Sequence, residues 1–438
     1  MFPNQYRASV YGITSGPKHH FFGFHDVCPW DPTERYVLAI ETDFIDRPPH
    51  GPDPLRQHEA DIAGICIIDT KNDNALSRVS ETRAWNFQQG ARLQWIPGGR
   101  DEIIYNDWRD DVHGCAKLVS VIVAMGTRRE RVLEHPIYAV SPQGNFALGL
   151  DFRALVGGYA YALDRGTDSV RYSSSDFYHR EKNSGIVTVN LRTGRNEGIA
   201  IRTYDVATFR HVPKPNEHHA LTHISFNPAG TRIGFLDKYQ LPDGGFMQRL
   251  VTANPDGSGM QVFPGHVTHF CWRNDSEILG FGKLSPRIID LRNKGFFASP
   301  LLRPFLRLAR NMRGGIKQRL AGQSYLLFTD GMDDVTRVAV GIMTEDGHPM
   351  FSPDRTRVIT DTYPDANHEH ALILYNWTDN TRITIETFGS LPPGFDSAWD
   401  LSEMRSDLHP RWNRKGDAVC FDSVHEGSRQ LYVADITV

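Results

Sequence analysis

Cysteine is scarce and unpaired in this chain. Five residues, Cys28, Cys66, Cys115, Cys271 and Cys420, are scattered over 438 positions with no C-x-x-C among them. That excludes a zinc-ribbon framework and argues against a disulfide scaffold. No apolar run is long enough to cross a bilayer as a helix. Neither charge dominates: 48 Lys and Arg stand against 52 Asp and Glu, a net −4. Bulk charge therefore advertises neither a nucleic acid nor a membrane partner. The opening stretch, MFPNQYRASVYG, lacks a basic segment followed by an apolar one. The expected location is cytoplasmic, or periplasmic or secreted if a leader precedes this sequence. G-x-S-x-G, H-E-x-x-H, the P-loop and the dinucleotide glycine fingerprint are all missing. No organic cofactor is expected, and scattered aromatics give no stacking platform for nucleic acid.

What is present is a repeat. An apolar strand, a tight polar turn and a second apolar strand recur seven times. The copies are DVCPWDPTERYVLAIET, ARLQWIPGGRDEIIYND, YAVSPQGNFALGLDF, HISFNPAGTRIGFLDKY, HFCWRNDSEILGFGK, HPMFSPDRTRVITDTYP and HPRWNRKGDAVCFDS. Each centre is built from Pro, Gly, Asn or Asp, the residues of hairpin turns. Third strands such as GICIIDTKN, QRLVTANPDG and QLYVADI often follow. Seven such units predict an all-β, seven-bladed β-propeller. The last unit has room for only three strands, so the N-terminal QYRASVYGITSG is expected to complete its sheet and close the ring. Residues 1–438 are thus expected to form one domain.

Aligning the inner strands on their turns brings Val27, Arg92, Ile137, His223, His269, His348 and His409 to one register. Four consecutive units carry His there. Neutral imidazoles that converge suit a divalent metal such as Mn²⁺ or Zn²⁺, with Ca²⁺ also considered. The competing reading is that each His merely caps its own strand. The second strands end, on the same face, in Asp107 and Arg109, Asp151 and Arg153, Asp237 with Lys238 and Tyr239, Asp361 with Tyr363, and Asp422 with His425 and Arg429. For any one of these Asp residues the plainer role is to accept backbone N–H groups. Residues 291–322 form an insertion without acidic residues but rich in Arg and Lys. It reads as a basic clamp for an anionic polymer, a membrane-surface attachment or a solvated helix over a blade.

HHFFGFHDVCPWDPTERYVLAIE, THISFNPAGTRI, TDTYPD and HPRW…FDSVHEGSRQ, in this order, resemble the seven-bladed propeller group related to ulvan lyases (polysaccharide lyase families 24 and 25). A weaker likeness, of fold and of the His register, is to oligogalacturonate lyases. The resemblance implies β-elimination on a uronic-acid-containing polysaccharide or oligosaccharide, with a link to exopolysaccharide production. Such chemistry needs a cation on the carboxylate, a base at C5 and an acid at the leaving oxygen. On that reading Arg92, Arg411 or the His set meets the carboxylate. His25, His223 or His425 is the base, and Tyr239 or Tyr363 the acid. The metal set is His223, His269, His348 and His409. Two alternatives stay open: a related propeller glycoside hydrolase, and a non-catalytic carbohydrate-binding or assembly module.

Overall fold

The computed structural model describes residues 9–47, 49, 61–99, 101–110, 116–150, 152, 184–209, 219–241, 246–284, 291, 322–391 and 405–436. The strands form seven four-stranded sheets, the blades of a seven-bladed β-propeller. Blade 1 is β2 (His19–Phe21), β3 (Tyr36–Thr42), β4 (Ala63–Asp69) and β5 (Ala75–Thr82). Blade 2 is β6 (Gln94–Trp95), β7 (Glu102–Asp110), β8 (Ala116–Ala124) and β9 (Glu130–Leu133). Blade 3 is β10 (Ala139–Val140), β11 (Phe146–Leu150), β12 (Gly185–Asn190) and β13 (Asn196–Arg202). Blade 4 is β14 (His219–Phe226), β15 (Ile233–Gln240), β16 (Phe246–Ala253) and β17 (Gln261–Val262). Blade 5 is β18 (His266–Trp272), β19 (Glu277–Lys283), β20 (Gln323–Thr329) and β21 (Val335–Val338). Blade 6 is β22 (Met350–Phe351), β23 (Arg357–Asp361), β24 (Glu369–Asn376) and β25 (Thr381–Gly389). Blade 7 is β26 (Arg411–Trp412), β27 (Ala418–Ser423) and β28 (Gln430–Asp435), completed by β1 (Val10–Gly12). The first strand does close the last sheet: Val10, Tyr11 and Gly12 pair antiparallel with Ala434, Val433 and Tyr432. Residues 292–321, most of the basic insertion, lie outside the described residues.

Local chemistry explains the hairpins. Several inner strands turn on a polar side chain that collects the N–H groups of the turn. Asp31 accepts from the N–H groups of Thr33, Arg35 and Tyr36. Asn227 accepts from Thr231 and Arg232, and Asn413 from Gly416, Asp417 and Ala418. Three inner strands then end in a repeated indole staple. Trp95, Trp272 and Trp412 each donate Nε1–H to a carbonyl of the preceding blade: Pro29, Ser225 and Met350. A large apolar ring is thereby buried with its one donor satisfied. Middle strands are buried on both faces, as in Val37–Ile40 of β3, whereas the outer strand β5 is largely exposed.

Contacts cluster into two compact units. One comprises Met1–Val170, Val189–Asn196 and His348–Val438, and holds blades 1, 2, 6 and 7. The other comprises Arg171–Thr188 and Glu197–Gly347, and holds blades 4 and 5. In the second unit a charged knot is buried. Asp237 faces His219 Nδ1 at 2.8 Å and takes Arg249 Nε at 2.9 Å. Arg249 also donates to the Val206 carbonyl of the short helix Thr203–Thr208. Burial alone pushes the Asp237 pKa up, but His219 and Arg249 outweigh it and hold it below its ordinary 3.8. Asp237 therefore contributes stability that is complete above that value and lost as pH falls through the lower, folded-state value. Asp237→Asn, which leaves the buried Arg249 charge uncompensated, is expected to cost about 3 kcal/mol in urea unfolding at neutral pH. The gap between wild type and variant should close as the pH is taken below the ordinary carboxylate range. A gap that does not change with pH would count against the ion pair.

Candidate functional site

The first unit contains a cluster of titratable side chains drawn from blades 1, 6 and 7. His348, Asp407 and His409 are all buried, and each offers one ligand atom within 4.8 Å of the others. The His348 and His409 rings are 4.3 Å apart, edge to face. The His25 ring lies 5.3 Å from His348 and 6.3 Å from His409. Tyr363 packs edge-on to His348 at 5.5 Å, and the Arg405 guanidinium stacks over Tyr363 at 4.6 Å.

The backbone places these groups by a short list of bonds. Asp361, at the end of β23, accepts the His348 N–H at 2.8 Å and the His409 N–H at 3.1 Å. It also meets His348 Nδ1 at 2.8 Å. One carboxylate thus sets the imidazole of blade 6 and the backbone ahead of β26 in blade 7. Burial raises its pKa, but the His348 charge and hydrogen bonds prevail and hold it at about 2. His409 sits at a φ of 43°, a left-handed conformation that costs a non-glycine residue about 1–3 kcal/mol. Its Nδ1 donates to the Gly23 carbonyl at 2.9 Å, so its tautomer is fixed and Nε2 carries the lone pair. That Nε2 is buried without a hydrogen-bond partner among the described residues. Gly23 has a φ of 133°, and a Cβ there would lie 2.7 Å from the Gln89 carbonyl oxygen. Only glycine lets the Phe22–Asp26 segment bring His25 to this place.

These features fit a divalent metal. Both imidazoles have Nδ1 engaged, which leaves Nε2 as the nitrogen that could bind a metal, the presentation that metal-bound histidines adopt. Asp407 is itself braced, by Arg405 Nε at 2.6 Å and Nη2 at 2.7 Å. Two nitrogens and one carboxylate oxygen suit Mn²⁺ or Zn²⁺ better than Ca²⁺, which prefers oxygen ligands throughout. Burial, reinforced by the neighbouring His348, Arg411, His25 and Arg429, holds the His409 pKa well below its ordinary value. A neutral imidazole is the ligand form.

The other expected residues have different surroundings. Arg92 is buried and committed: Nη1 and Nη2 meet Asp26 at 3.0 and 2.9 Å, and Nε donates to the Tyr138 carbonyl. Arg411 is fully buried, donating to Asp422 at 3.1 Å and to the Gly23 carbonyl at 2.5 Å. Both guanidiniums hold the fold together at points where the sequence suggested a free carboxylate clamp. His425 packs on Phe388 and Tyr432 and bonds Ser423, none of which belongs to the cluster. In the second unit, His223 and His269 lie 6.4 Å apart edge to face. Both fall at irregularities of their strands, between Thr222 and Ser225 and between Val267 and His269. His269 Nδ1 is oriented by Asp346 at 3.0 Å. Tyr239 is buried and stacks on His219 at 4.6 Å. The repeat alignment overlooked Asp407, Arg405 and His370. The first two had a signal, the i, i+2, i+4 spacing of Arg405, Asp407 and His409 in an extended segment. His370 lies in β24, fully buried with neither ring nitrogen partnered among the described residues, and burial lowers its pKa to about 4.

No protein-family profile matches the chain, and no curated protein matches it. Solved structures do. An oligogalacturonate lyase from Vibrio parahaemolyticus matches with a TM-score of 0.59 and 14% identity, over 98% of this chain and 93% of that one. An oligogalacturonate lyase in complex with manganese matches with a TM-score of 0.59 and 13% identity, over the same shares. At these identities the likeness is one of fold.

Manganese added to the protein is expected to raise its melting temperature by a few degrees, because a ligand bound only to the folded state stabilises it. In His409→Gln, whose amide can still donate to the Gly23 carbonyl, that rise should vanish while the metal-free melting temperature changes little. An equal rise in both proteins would remove His409 from the ligand set.

Proposed function

We propose that the protein is a lyase that cleaves an acidic, uronate-containing oligosaccharide or polysaccharide by β-elimination, related in kind to the ulvan-lyase group and to the oligogalacturonate lyases whose fold it shares. The observation that carries this reading is the His348, Asp407 and His409 constellation with His25, Tyr363 and Arg405 around it. A manganese-bound oligogalacturonate lyase among the structures of similar fold supports it.

The uronate carboxylate must be neutralised before the C5 proton becomes acidic. A divalent cation held by His348, Asp407 and His409 would supply most of that positive charge. Arg405 braces Asp407 and adds a second cation beside Tyr363. His25 takes the proton from C5. The electron pair left behind forms the C4–C5 double bond as the C4–O bond breaks. The Tyr363 hydroxyl gives its proton to the departing oxygen, and exchange with water returns both groups to their starting states.

The test is the ultraviolet absorbance of the new C4–C5 double bond, followed with a panel of uronate oligosaccharides in the presence of Mn²⁺. Absorbance should rise with at least one substrate. His25→Ala and Tyr363→Phe should each lose about 10²–10⁴-fold in rate while still binding Mn²⁺, the usual weight of a positioned base or acid. Full activity in His25→Ala would remove His25 as the base. A flat trace across the panel from protein that binds Mn²⁺ overturns the elimination, and release of reducing ends on the same samples would mean hydrolysis instead.

A further inference from the structure

A cavity of about 460 Å³ opens in the first unit where blades 1 and 2 meet. Its walls come from the end of β5, residues 78–82, from Arg83, and from Asp107, Arg109 and Glu130 of β7 and β9. Its size falls within the range of small-molecule sites. The lining is almost wholly polar, with Ile62 and Val79 the only aliphatic members.

The charged groups are mostly spoken for. Arg78 pairs with Glu81 at 3.0 Å. Arg109 lies between Asp107, at 2.5 Å, and Glu130, at 3.3 Å. Glu130 also takes the Ser80 hydroxyl at 2.6 Å, and that hydroxyl meets Tyr105 at 2.7 Å. Arg83 differs. Its backbone N–H is fixed on Asp107 at 2.8 Å, which anchors the residue at the cavity wall. Its guanidinium has no hydrogen-bond or ion-pair partner among the described residues. The cavity therefore presents one open bidentate donor in a bed of fixed donors and acceptors.

Three guanidiniums and three carboxylates cancel in charge, so a polyphosphate or a nucleic acid finds no net field here. The absence of aromatic walls gives no seat for a base or an apolar side chain. Fixed donors alternating with fixed acceptors match a ligand whose hydroxyls both donate and accept, and a planar carboxylate matches the Arg83 fork. We propose that this cavity is a separate binding site for a uronate-bearing saccharide, with Arg83 receiving the carboxylate and Glu130, Glu81 and Arg109 the ring hydroxyls. The choice of sugar rests on the functional reading above; the site itself rests on the cavity and on Arg83. A glycan-degrading enzyme gains from such a site by holding a long substrate at two points, which raises its effective concentration at the reacting end.

The experiment is isothermal titration of the full chain carrying His409→Gln with tetragalacturonate, and with cellotetraose as the neutral control. Saturable binding of the acidic tetramer is expected. Adding Arg83→Gln should weaken it about tenfold or more, the weight of a hydrogen bond to a charged group, with no change in melting temperature. Unchanged affinity in Arg83→Gln, or equal binding of cellotetraose, overturns the site. Arg83-dependent binding alongside a flat absorbance trace for the wild type would retain the site and discard the lyase reading. Loss of absorbance in His25→Ala with no effect of Arg83→Gln on binding would do the reverse.

Discussion

Much of this structure hangs on one recurring constraint: a carboxylate buried at the end of the second strand of a blade. Asp107, Asp237, Asp361 and Asp422 occupy that place in blades 2, 4, 6 and 7, and each is at most 3% exposed. A buried charge is tolerable only when it is paired and hydrogen-bonded. Each Asp therefore dictates its surroundings. Asp107 collects the Arg83 N–H, Asp361 the N–H groups of His348 and His409, and Asp422 the Phe22 N–H together with Arg411. In three of the four, the Asp of one blade holds the backbone of another. A propeller sheet is hydrogen-bonded within itself, so such links, with the indole staples, are what fix one blade's inner end against the next.

The candidate site is a by-product of this arrangement. An Asp that takes an imidazole Nδ1–H leaves Nε2 pointing elsewhere, and His348 does this with Asp361 as His269 does with Asp346. In blade 7 the acceptor is the Gly23 carbonyl. The Phe22–Asp26 segment is held from several sides at once. Arg411 binds the carbonyls of Gly23 and Phe24, Arg92 grips Asp26, and Asp422 takes the Phe22 N–H. His25 is consequently carried by a short stretch of backbone with almost no freedom. A group so placed loses little conformational entropy when a substrate arrives.

The fold was legible because its signals are local. Seven polar turns flanked by apolar runs, and the short last unit with a spare strand at the other end of the chain, need no knowledge of distant contacts. His348 and His409 were legible for the same reason: they share a register with each other within the repeat. The fate of the arginines was not. Arg92 is 66 positions from Asp26, and nothing in the sequence says that the pair closes. Arg411 is nearer its partner, 11 positions from Asp422, but the competing acceptors are main-chain carbonyls 387 and 388 positions away. A free guanidinium and a committed one look identical in a sequence. The surroundings of His425 are equally hidden in the sequence, since its neighbours Phe388 and Tyr432 come from other strands. Asp407 and Arg405 lay outside the turn-based alignment, in the extended lead into β26, and only their alternation with His409 marked them.

The committed arginines still bear on the chemistry. Arg411 and Arg429 are buried within the same region as His409, and their positive charges add to burial in keeping that imidazole neutral. Asp422 offsets part of this field, but Arg429 retains Nε and Nη1 without partners among the described residues. Asp361 and Asp407 stand in the same region, so the guanidiniums help to keep the imidazole neutral without leaving an excess of positive charge. A cation held at His409 would need an anionic ligand within reach. Asp407 meets this need, and its bidentate pairing with Arg405 holds the carboxylate in place until a stronger cation shares it. Burial and the arginines that the fold uses as rivets thus favour the neutral form of His409, and the acidic residue the repeat pattern overlooked is the one that would complete a metal site with the histidines.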